Sequence, residues 1–188
     1  MPRAVTGPVN GPRIKSWWEW LESTEVTTSV TSVDFTSLNA TDYDVYHWQI
    51  SSLTAVSTPN DFEMRVGTGA TPTWQSGSNE YYNAEHYIAS GTDAVSANLD
   101  TKAAARIALS NGSLEAASGW VQLSMLDDTN HSIINWHVGA TDGALVHTSF
   151  GSSSWTDTTA ITGFRFFLSG GNIDGGMFSM YGLRRGAV

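Results

Sequence analysis

The chain has no cysteine, so neither a disulfide nor a thiolate metal site is available to it. Basic residues are scarce as well: nine Lys and Arg stand against eighteen Asp and Glu, a net charge of −9. Binding to phosphate needs clustered Lys and Arg, so this balance argues against nucleic acid and against an anionic membrane surface. Nothing in the chain approaches the apolar length of a membrane span, and the opening Met1-Pro-Arg-Ala-Val-Thr-Gly-Pro8 lacks a signal-peptide core. Synthesis in a cytosol is the expectation that follows. The motifs of hydrolytic enzymes are missing too. No Gly-x-Ser-x-Gly elbow occurs, and the five histidines form neither an HExxH nor a helical i, i+4 pair. Eighteen acids guarantee accidental carboxylate pairs, but none is singled out by spacing. The expectation is a protein that is not an enzyme and carries no cofactor.

What is plentiful is Gly, Ser, Thr, Asn and aromatic residues, the balance of an all-β protein with many turns. Period-2 alternation recurs along the chain. Tyr46, Trp48 and Ile50 share one face of a strand over 43–53, with Val45, His47 and Gln49 on the other. Phe62, Met64 and Val66 do the same over 61–67. Residues 25–35 alternate and then shift phase near Ser32, which predicts one bulged strand or two short ones. Further strands are expected over 81–88, 101–110, 119–126, 131–139 and 144–150, with Ser/Thr-rich loops over 67–79 and 151–159.

The strongest signal lies near the end of the chain. Phe164, Phe166 and Leu168 alternate, the glycine-rich turn Ser169-Gly-Gly-Asn-Ile-Asp-Gly-Gly176 follows, and Phe178 and Met180 alternate after it. This reads as a hairpin too apolar for an open edge, placed in mid-sheet. About ten strands without a fixed repeat predict an antiparallel β-sandwich, jelly-roll-like, over 23–188.

Residues 1–22 read as an extended arm: three prolines and two glycines in the first sixteen positions, then Trp17-Trp18-Glu19-Trp20. A buried indole removes roughly 200 Å² from water, at most about 5 kcal/mol each. Ordering the residues ahead of them costs roughly 1–2 kcal/mol apiece, so the arm is expected to need a neighbouring chain. Charge points the same way. Arg3, Arg13, Lys15, Arg184 and Arg185 give the two ends +5, while the centre, with four bases and eighteen acids, carries −14. Basic ends of this kind suit an acidic partner. The residues expected to bind it are Arg3, Arg13, Lys15, Trp17, Trp18 and Trp20.

Trp74, Tyr81, Tyr82, Tyr87 and Trp155 fall in or beside predicted loops. Rings flanked by Asn and Asp suit sugars, with Trp74, Tyr81, Tyr82 and Trp155 as the glycan candidates; the same rings serve equally as core or subunit contact. The acidic turns at Asp42/Asp44 and Asp127/Asp128/Asn130 offer oxygen ligands of the kind calcium prefers, without the register of a calcium loop. No metal site is expected.

The segment Ile161 to Leu183 resembles the C-terminal signature of a β-sandwich domain found in tail fibres and head decoration proteins of tailed phages. Ser32-Val-Asp-Phe-Thr-Ser-Leu38 followed by Tyr43 to Ile50 resembles that domain's opening. The resemblance spans roughly residues 25–184 and implies a structural part of a virion. A compact domain with a basic, Trp-tipped arm suits a capsid decoration or cement protein docked on the major capsid protein. Analogy with such proteins implies a homotrimer. A receptor- or glycan-binding module of a tail or head fibre is the alternative, and an enzyme that degrades surface polysaccharide ranks last.

Overall fold

The computed structural model describes residues 18–55, 61–89, 100–107, 114–124, 126–127, 130–141 and 145–185. Arg3, Arg13, Lys15, Trp17 and Asp128 lie outside them. Among the described residues there is no helix. In chain order the strands are β1 (Trp18–Val26), β2 (Ser32–Phe35), β3 (Tyr43–Thr54), β4 (Phe62–Thr68) and β5 (Thr73–Trp74). Then come β6 (Tyr81–Ala89), β7 (Asp100–Lys102), β8 (Ala105–Ile107) and β9 (Ala116–Ser124). The last four are β10 (Ile133–Thr141), β11 (Val146–Trp155), β12 (Ile161–Leu168) and β13 (Gly175–Arg184).

All pairings are antiparallel, and the strands form two sheets packed as a β-sandwich. The larger has eight strands in the order β1-β13-β3-β9-β10-β11-β6-β7 and curls into a half-barrel. The smaller runs β2-β12-β4, with β5 and β8 sharing the far edge of β4. From β1 to β4 the chain alternates between the sheets, as in a jelly roll, whereas β9-β10-β11 is a meander within the large sheet.

The core follows the predicted alternation. Tyr46, Trp48 and Ile50 of β3, Phe62, Met64 and Val66 of β4, and Phe164 and Phe166 of β12 are all fully buried. Trp48 lies against Phe164 with ring centres 4.5 Å apart, and Phe166 contacts Phe35, Phe62 and Phe178. This aromatic centre joins the sheets face to face, each ring adding directional contact to the area it buries. At one end Arg106 of β8 reaches Asp61 at 3.3 Å and the buried Glu85 of β6 at 3.7 Å, so an ion pair ties the two sheets together.

Three expectations change. The segments before and after the glycine-rich turn are not a hairpin. β12 sits mid-sheet between β2 and β4, β13 mid-sheet between β1 and β3, and the turn crosses from one sheet to the other. Both strands alternate cleanly because their apolar faces meet across the sandwich, a pattern a hairpin shares. For residues 25–35 the two-strand alternative is the one observed, the end of β1 and β2 lying in different sheets. Within the single strand expected over 101–110, the described residues to 107 instead hold β7 and β8, on opposite sheets. The Ser-rich stretch at 151–155 is strand and not loop. It continues β11 between β10 and β6, because small hydroxyl side chains leave the backbone free to pair on both sides.

Candidate functional site

The expected arm over 1–22 is corrected at its C-terminal end. Trp18 to Val26 is strand β1, paired with β13 from Trp18 opposite Leu183 to Val26 opposite Gly176. Ladder hydrogen bonds to the sandwich thus order this stretch, so residues 18–22 are part of a strand of the large sheet. The two indoles stay on the surface, Trp18 38% and Trp20 60% exposed, on the outermost strand of the large sheet. Trp20 Nε1 donates to Ser23 Oγ at 3.1 Å. The C-terminal arginines are engaged within the chain: Arg184 with Glu19 at 2.7 Å, Arg185 with Asp44 at 2.7 Å and Asp127 at 3.3 Å. Those two acidic turns do converge, but around a guanidinium. Asp42 instead accepts from the Asn39 amide at 2.9 Å. Among the described residues no three His, Asp or Glu side chains are grouped to hold a metal ion.

The four glycan candidates are not brought together. Tyr81 is fully buried, its hydroxyl accepting from Val66 N at 2.9 Å, and burial pushes its pKa up. Trp155 is 2% exposed and belongs to the core. Both begin or end strands that alternate inward, which a loop assignment hides. Trp74 lies on the outside of the small sheet, under the Arg165 guanidinium at 4.4 Å. It fills the space left by two paired glycines: a Cβ at Gly67 would come within 2.9 Å of its ring, and one at Gly163 within 3.1 Å. Arg165 in turn holds Asp34 through two bonds of 2.7 and 2.6 Å, so Trp74 is a fixed cover. Of the four only Tyr82, 57% exposed, faces outward on the large sheet.

On that outward face the register assembles what no local motif announces. One cross-strand row runs Gln49–Trp120–His137–Phe150–His86, over β3, β9, β10, β11 and β6. The row beside it runs Trp20–Tyr181–His47–Gln122–Asn135–Ser152–Ala84. Large rings stand next to short or amide side chains, and the step between them is an open depression of about 890 Å³. It is lined by Trp120, His137, Phe150 and His86 on one side and Gln122, Asn135, Ser152 and Ala84 below. A smaller depression of about 370 Å³, lined by Trp18, His47, Gln49 and Tyr181, adjoins it at Gln122.

The rings support one another. Phe150 stacks on His86 at 4.8 Å and 10°, and His137 meets the edge of Phe150 at 6.2 Å. His47 stacks on Trp120 at 6.0 Å and touches Trp18 edge-on at 5.7 Å. Burial holds the His47 pKa below the usual histidine value, with a hydrogen bond to the Gln49 side chain partly opposing it. The His47 imidazole is therefore neutral near pH 7. The carboxylate beside the larger depression, Glu85, points inward, where Ser149 Oγ donates to it at 2.6 Å and Trp136 Nε1 donates to that same hydroxyl at 3.1 Å.

Comparison with protein-family models, with curated proteins and with solved structures finds no match to this chain. The fold and its outward face define an antiparallel β-sandwich with a ring-lined surface. Function rests on those features.

Proposed function

We propose that the chain is a structural protein of a tailed-phage particle, a decoration or cement protein that docks through its N-terminal segment and strand β1. The observation that carries this reading is the pair of exposed indoles, Trp18 and Trp20, on an outermost strand that continues directly into the basic, proline-rich stretch of residues 1–17. Exposed tryptophans on a strand that, among the described residues, pairs on one side suit burial against another chain, since indoles are favoured at the centres of interfaces. A homotrimer, with this segment exchanged between subunits, provides one such burial; the major capsid protein provides another. The residues that resemble phage virion domains lend support by position. They form β2, β3, β12 and β13, the strands that make the aromatic centre of the sandwich.

The test removes residues 2–17 in one variant and combines Trp18→Ala with Trp20→Ala in another, then measures copies bound to particles that lack the protein. Loss of binding with an unchanged β-sheet circular dichroism spectrum is expected of both. Wild-type occupancy by the truncated chain would sink the docking reading.

A further inference from the structure

We infer that the outward depression formed by Trp120, His137, Phe150 and His86 over Asn135 and Gln122 is a binding site for an uncharged saccharide. The proposal does not depend on particle docking and involves different residues from those first expected to hold a glycan.

Three properties of the depression narrow the ligand. The first is shape. Its volume of about 890 Å³ lies within the roughly 300–1,000 Å³ typical of small-molecule sites. It is open and lies across several strands, which suits an extended ligand better than a compact one. Trp120 and Phe150 are two strands apart in one row, with His137 between them. Two strand spacings place the ring-bearing backbones about 10 Å from each other, a separation that admits more than one pyranose.

The second property is charge. The lining has no lysine and no arginine, and its carboxylate, Glu85, is turned inward and bonded to Ser149. A phosphate, sulfate or carboxylate ligand would meet no compensating cation on a chain of net charge −9. A cationic ligand would find no exposed anion in the lining. Charge complementarity leaves a neutral ligand.

The third property is the mixture of groups. The rings offer flat apolar faces, while the floor offers an amide pair, a hydroxyl and imidazole nitrogens. Among the described residues the Asn135 side chain and the Trp120 indole N–H have no protein hydrogen-bond partner, while their neighbours Gln122 and His137 bond to His47 and Thr148. His137 Nε2 is within 3.3 Å of Thr148 Oγ1, which leaves Nδ1 available. A ligand with apolar C–H faces and hydroxyl edges satisfies both sets of groups, and a hexopyranose has both. A wholly apolar ligand would bury the Asn135 amide without a partner, which is unfavourable.

The experiment uses the full chain on a printed array of neutral hexose and N-acetylhexosamine oligosaccharides beside sialylated and sulfated ones. Hits are then titrated by isothermal calorimetry, a readout that does not depend on the substituted indole. Binding to neutral members is expected, with an affinity at least about tenfold weaker in Trp120→Ala and in Phe150→Ala, the loss typical of a central contact residue. Asn135→Ala, which removes no ring, should weaken binding as well and guards against a packing artefact. Leu145→Ala, on the exposed approach to β11, should leave it unchanged. Absence of any neutral hit with folded wild-type chain overturns the proposal. So does binding confined to anionic glycans, or neutral binding that both ring variants retain.

Discussion

The two faces of the large sheet are both rich in rings, yet they are built differently. On the inner face Tyr46, Trp48, Trp136 and Phe178 are sealed from water and locked against the small sheet. On the outer face Trp120, His137, Phe150 and His86 stack only on neighbours of their own sheet, and Phe150 remains 43% exposed. Inner rings stabilise the sandwich by leaving water. Outer rings gain little in that way, and an open row of them is costly in solubility unless something covers it. Alternation along a strand therefore separates two jobs residue by residue: Trp48 holds the fold, while His47, one position earlier, belongs to the surface.

The comparison can be broken by substituting across it. Trp48→Ala empties the centre of the aromatic cluster and is expected to cost about 4 kcal/mol, measured as the shift of a chemical unfolding curve. A cost near zero would mean that the sheets are not joined there. Next comes Arg106→Ala, which leaves the buried Glu85 carboxylate without its guanidinium. About 3 kcal/mol is expected, and Glu85→Gln introduced with it should recover part of the loss by removing the stranded charge.

A smaller effect is expected of His47, which borders both depressions. Its lowered pKa means that the unfolded chain takes up a proton first as the pH falls. The contribution is present above about pH 6.5, the ordinary histidine value, and is lost as the pH drops through the folded-state pKa below it. The wild-type melting temperature should therefore fall more steeply than that of His47→Gln on acidification below about pH 6.5. Parallel curves would show that the imidazole is not half-buried against Trp120.

Much of this was legible in the sequence. The inward sets of β3, β4 and β12 are regular alternations with no competing pattern, so the core could be read from them directly. Which sheet each strand joined could not, because the alternation of Phe164–Leu168 and Phe178–Met180 is the same whether the turn closes a hairpin or crosses the sandwich. Trp155 falls in a segment that reads as a Ser/Thr loop, and Tyr81 opens an expected strand beside one; the pairing of β6 with β11 turns both inward. The outer row was hidden for a different reason. Its members come from residues 49 to 150 and meet only through the register of five strands. The usable signal was chemical: outward positions at His47, Trp120, His137 and Phe150 carry rings where charged side chains are the rule.

The most direct test takes the double variant Trp120→Ala/Phe150→Ala and follows thermal unfolding and neutral-oligosaccharide titration on the same sample. The account predicts a stability change of about 1 kcal/mol or less together with loss of the binding heat. Unfolding several times more costly than that, with the binding heat retained, would contradict it by making the outer rings part of the core.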